Sequence, residues 1–127
     1  MRTDELLRRL DHGETIGDLW DTALEQLAER DEVIRNFAGH SQNVSRLRES
    51  WVVTPPKLRD LVASGLRPSD LWRMLLSALA ERDRLIRCVV ARNSANASRE
   101  CRYCHARLDH GHRWICALAI GAEMVAP

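Results

Sequence analysis

The sequence predicts an all-α fold, and three observations predict it. Residues 6–35 align without gaps on residues 58–87, with thirteen identical positions, including the block Leu-Ala-Glu-Arg-Asp at Leu27–Asp31 and Leu79–Asp83. Apolar residues recur at helical spacing in both copies. No stretch alternates with period two for long enough to form a strand. The expected architecture is a duplicated short-helix/long-helix hairpin with repeat offset 52, its copies related by pseudo-twofold symmetry. Residues 1–53 form the first unit, 54–98 the second and 99–127 a small C-terminal module, all packing as one compact domain.

Each element follows from local chemistry. Leu6, Leu7 and Leu10 give the first short helix its apolar face, and Gly13 suits the left-handed residue that ends it. Thr15 caps the long helix, with Asp18 in the acidic capping-box position. Trp20, Leu24, Leu27, Ile34, Phe37 and Ala38 continue that helix's stripe. The stripe resumes at Val44, Leu47 and Trp51, either in one helix approaching ~50 Å or after a break near Gly39–Ser41. In the second copy, Thr54 precedes Pro55 and Pro56, which suit a first turn. Leu58, Leu61 and Val62 form the face, Gly65 the stop and Pro68 the next first turn. The second long stripe is Trp72, Leu75, Leu76, Leu79, Ile86, Val89 and Val90, with Cys88 read as a small core residue.

The chain has 127 residues, 45% hydrophobic and 29% charged, the size and balance of one soluble domain. A net charge of +1 designates no partner. Eighteen arginines against one lysine suggest a GC-rich source, actinobacterial or phage. The longest strongly apolar run, Trp114–Ala122, is far short of the roughly 20 residues a bilayer span needs. The N-terminal segment is charged and periodic rather than secretory, so a cytoplasmic protein without a membrane partner is expected.

The cysteines carry the most specific chemical signal. Cys101, Cys104, His112 and Cys116 form a C-x2-C-x7-H-x3-C arrangement, with His110 as an alternative to His112. Two thiolates two residues apart bind one ion from a tight turn, and a distal His/Cys pair closes a tetrahedron, so a Zn2+ site is expected. Four protein ligands make such an ion structural, folding a segment too small to build its own core. Residues 101–116 resemble CCHC zinc knuckles in the CxxC start, the Gly-His pair and the terminal cysteine, with a longer gap before Gly-His and a shorter one after it. A CxxC turn docking onto a short helix over Cys116–Met124 is the other arrangement.

Charge is segregated along the chain. Residues 1–35 carry ten acids and five bases, whereas residues 84–113 carry seven arginines and two acids. The basic part either neutralises the acidic first unit or offers Arg102, Tyr103, Arg107, Arg113 and Trp114 to nucleic acid, arginines meeting phosphates and aromatics stacking on unpaired bases. The resemblance to zinc knuckles implies the second role. Asp31 and Asp83 fall on the apolar stripes, where Arg35 and Arg87 at i+4 are the expected partners. The sharper alternative has the two acids meeting across the pseudo-axis, to fix register or hold a cation. Trp51, outside the repeat, is the candidate for a protein interface.

No nucleophile–base arrangement, phosphate-cradling loop or open metal site stands out in the sequence. The functional expectation is a non-enzymatic helical binding protein or small regulatory adaptor with structural zinc, acting through a protein partner or self-association. A DNA- or RNA-binding regulator is the alternative.

Overall fold

The computed structural model describes residues 1–94 and 116–125, and these residues are all-helical. In order they form α1 (Thr3–Asp11), α2 (Ile16–Ala38), α3 (Gln42–Glu49), α4 (Pro55–Ala63), α5 (Pro68–Ser94) and α6 (Ala117–Val125). The starts of α1 and α4 lie 52 residues apart, as do those of α2 and α5.

The connections between short and long helices rest on the glycines. Gly13 and Gly65 adopt φ of 104° and 99°, a left-handed conformation that a side chain would strain. In both turns the residue after the glycine donates its N–H five residues back, Glu14 to the Arg9 carbonyl and Leu66 to that of Leu61. The starts of the long helices differ. Thr15 Oγ1 accepts from the Asp18 N–H while the Asp18 carboxylate accepts from the Thr15 N–H, completing a capping box. Hydrogen bonding from Thr15, its backbone N–H first and its side chain second, holds the Asp18 carboxyl below its ordinary pKa. At the start of α5 the equivalent residue is Arg67, which offers Asp70 only its carbonyl.

The apolar stripe after Phe37 does break. Ser41 turns extended, φ −150° and ψ 120°, and its hydroxyl caps α3 at the Val44 N–H. Residues 38–41 thereby redirect the chain, and Val44 still reaches the core.

Helices α2 and α5 form the central pair, and two apolar clusters lie along them. One gathers Leu6, Leu19, Trp20, Leu24, Leu27, Leu58, Leu71, Trp72, Leu75 and Leu79, closing both short helices onto the long ones. The other joins Val33, Ile34, Phe37, Val44 and Ile86 to Cys116, Leu118 and Met124, seating α3 and α6. Gly121 allows α6 to come close: a Cβ there would lie 3.0 Å from Ile86 Cγ2 and 3.4 Å from atoms of Phe37 and Val33. Cys88 departs from the expected core position. It is exposed, two residues after the buried Ile86.

Candidate functional site

Between the two clusters, α2 and α5 exchange charges. Arg30 on α2 donates from Nε to Asp83 Oδ1 on α5 at 2.6 Å, and Arg82 on α5 donates from Nε to Asp31 Oδ1 on α2 at 3.0 Å. Both guanidinium side chains are 0% exposed. The expected i+4 pairing is therefore corrected: neither Asp31 nor Asp83 pairs with Arg35 or Arg87, and Arg35 instead meets Glu32 at 3.0 Å. The two acids do not meet each other either; each takes the arginine of the opposite long helix. A carboxylate on an apolar stripe needs a desolvated cation of fixed geometry, which the facing helix supplies and a solvent-exposed Arg35 does not. The sequence signal was present in the arginine beside each stripe aspartate, identical in both copies.

The remaining donors of each arginine follow a common plan. Nη1 of Arg30 reaches the Gln26 carbonyl at 3.2 Å, and Nη1 of Arg82 reaches the Ala78 carbonyl at 3.5 Å, each one helical turn back. Nη2 reaches a carbonyl 29 residues upstream in both cases, Met1 at 3.0 Å and Val53 at 2.6 Å. Each arginine thus ties three segments together: its own helix, the opposite long helix and the strand of chain entering the short helix.

Their surroundings diverge beyond that. Around Arg30, the Gln26 side chain accepts from Nη1 and Thr3 Oγ1 accepts from Nη2 while donating to Asp83 Oδ2 at 2.7 Å. Around Arg82, the positions of Gln26 and Thr3 are taken by Ala78 and Pro55, and the guanidinium carbon lies 4.1 Å from the centre of the Trp51 ring. A cation over indole is attracted by the ring's negative face.

Trp51 also separates two surface depressions. One is a groove of about 290 Å3 between α3 and α5, lined by Leu47, Trp51, Leu85 and Cys88 with Glu81 and Arg84. Leu47 is 50% exposed there. The other is a cleft of about 380 Å3 beside the Asp31–Arg82 couple. A third depression lies beside Met1, with Arg2, Glu5, Glu29 and Glu123 around it.

Of the expected zinc ligands, Cys116 is buried in the second apolar cluster, immediately before α6. Cys101, Cys104, His110 and His112 lie outside the described residues, as do Arg102, Tyr103, Arg107, Arg113 and Trp114. Among the described residues, no three His, Cys, Asp or Glu side chains are grouped to hold a metal ion. No helix among them is long and apolar enough to cross a membrane. No family model matches the chain, and no curated protein or solved structure matches it.

Proposed function

We propose that this chain is a non-enzymatic helical binding protein, a small adaptor whose working surface is the groove between α3 and α5. The observation that carries the reading is an apolar floor of Leu47, Trp51, Leu85 and Cys88 bordered by one acid, Glu81, and one base, Arg84. A trough between two helices with rim charges of both signs suits an amphipathic helix from a partner protein, laid apolar face down. Trp51, held against Arg82, supplies a rigid aromatic anchor of the kind that dominates interface energetics. The same surface on a second copy is the self-associating form of this reading.

The two hairpins are read here as copies of one unit, supported by the sequence identity and by equal spacing of the helix starts. Zinc completes the scaffold in this proposal, held by Cys101, Cys104, His112 and Cys116 and anchoring residues 99–127 where Cys116 enters the core. Metal analysis of the purified chain is expected to give one zinc per molecule, lost with Cys101→Ser. No zinc in the native chain removes this part of the proposal.

The groove is tested with Leu47→Asp in the full chain. A captured partner is purified and reconstituted with both forms, and sedimentation follows self-association in parallel. At least tenfold weaker binding with an unchanged Tm supports the reading. A complex indifferent to the substitution, or no complex and no self-association, overturns it.

A further inference from the structure

The α3–α5 groove carries a charge pattern that its counterpart on α2 lacks. Its α5 wall is Glu81, Arg84, Leu85 and Cys88, one face of the helix. The residues 52 positions earlier are Glu29, Glu32, Val33 and Asn36. Two acids flank the apolar residue there, and Val33 is buried beneath α6, where a Cβ on Gly121 would lie 3.4 Å from Val33 Cγ1. On α5 the second acid is replaced by a base, and Leu85 is only half-buried. Arg84 makes no ion pair with a described residue, and the exposed Glu81 only approaches the buried Arg82 Nη1, at 3.8 Å.

We propose that the partner of this groove is a second copy of the chain, packed about a twofold axis, an assignment that rests on the groove being the working surface. A twofold contact sets one patch against itself, so the patch must complement its own image. Two like charges on the rim would repel those of the other copy. An acid and a base three residues apart attract theirs when the two α5 helices run antiparallel, with Glu81 of each copy opposite Arg84 of the other. The apolar surface agrees with this. Val52 and Leu47 are the two most exposed large apolar side chains among the described residues, 76% and 50%. Leu47 lines the groove, and Val52 directly follows Trp51, which also lines it. Setting two such grooves face to face takes their apolar floors out of water.

The test is sedimentation of the full chain from about 1 to about 500 μM. A monomer–dimer equilibrium is expected, weakened at least tenfold by Arg84→Glu or by Glu81→Arg, each of which leaves two like charges on the rim. An equimolar mixture of the two variants should dimerise again, to within about threefold of the native chain, since each then meets the opposite pair. Glu81→Arg also brings a second cation near Arg82. If it lowers Tm, Glu81→Gln replaces it in the mixture, where more dimer than with Arg84→Glu alone is the expected result. A native chain that stays monomeric, a dimer indifferent to both reversals, or a mixture that fails to dimerise overturns the proposal. A foreign protein held by the groove and lost with Leu47→Asp, beside a monomeric native chain, removes only the second copy and leaves the working surface standing.

Discussion

Arg30 and Arg82 occupy equivalent turns of α2 and α5, and each gives its Nε–H to the aspartate of the opposite helix. Arg30 is then surrounded by hydrogen-bonding groups, from Gln26, Met1, Thr3 and Asp83, whereas Arg82 trades two of those groups for the face of Trp51. The carboxylates differ in the same sense: Asp83 is 7% exposed with both oxygens engaged, and Asp31 is 22% exposed. The lesson is that backbone geometry sets where each arginine goes, while a few side chains decide how far its aspartate partner is closed off from solvent.

The comparison is broken most directly by neutralising the acids one at a time. Asp83→Asn leaves Arg30 charged, enclosed and without its counter-ion, which costs about 3–5 kcal/mol. Asp31→Asn leaves Arg82 just as enclosed but still against the face of Trp51 and 3.8 Å from Glu81, and a smaller loss of about 1–2 kcal/mol is expected. Urea denaturation of both variants checks the difference, and equal losses would remove the distinction between closed and open couples. Replacing Arg30 and Asp83 together by Met and Leu should recover most of the larger loss, since no orphaned charge remains.

Thr3→Val sharpens the contrast by deleting only the bridging hydroxyl. A loss of about 1–2 kcal/mol is expected, because Asp83 Oδ2 and Arg30 Nη2 each lose a partner. Thr54→Val at the other hairpin removes a solvent-exposed cap to the Lys57 N–H and should cost less, about 0.5–1 kcal/mol. Thermal unfolding of the pair ranks them, and the reverse order would show that the hydroxyl bridge adds little.

The helix starts offer a transplant. Thr15→Ala should cost about 1 kcal/mol by removing the capping box of α2. Arg67→Thr, placed three residues before Asp70, builds the same box at α5 and should add about 0.5–1 kcal/mol. A destabilised Arg67→Thr variant would mean that the arginine side chain is needed there.

The smallest effect is pH-dependent. Asp18 has a lowered pKa in the folded chain, so its contribution is fully present above the ordinary aspartate value of about 3.9 and fades as pH falls through the lower folded value. The stability gap between the native chain and Asp18→Asn should stay flat near neutrality and shrink only in acid. A gap unchanged in acid would refute an ionic cap.

Much of the fold was legible in the residues. Helical periodicity located the long helices, and Gly13 and Gly65 marked the ends of α1 and α4, Thr15 the start of α2 and the paired prolines the start of α4, because these features act locally. Both lengths weighed for the helix after Phe37 were compatible with its stripe, and the capping hydroxyl of Ser41 decides for the break. The charge pairing was misread for a different reason. An i+4 partner can be counted along one helix, but a partner on a facing helix depends on how α2 and α5 cross. Trp51 shows the same limit: its isolation from the repeat marked it as unusual, yet nothing local says that it lies against Arg82 or divides a groove from a cleft.

The crossed salt bridges also bear on how this polypeptide can be divided. Each half holds one guanidinium and one carboxylate whose counter-ions belong to the other half, so a severed hairpin would be electrically incomplete. Two identical severed hairpins, however, would offer each other the missing groups, Arg30 of one to Asp31 of its twin and the reverse. A peptide ending before α4 should therefore stay unfolded when dilute and become helical with rising concentration, as one half of a homodimer would.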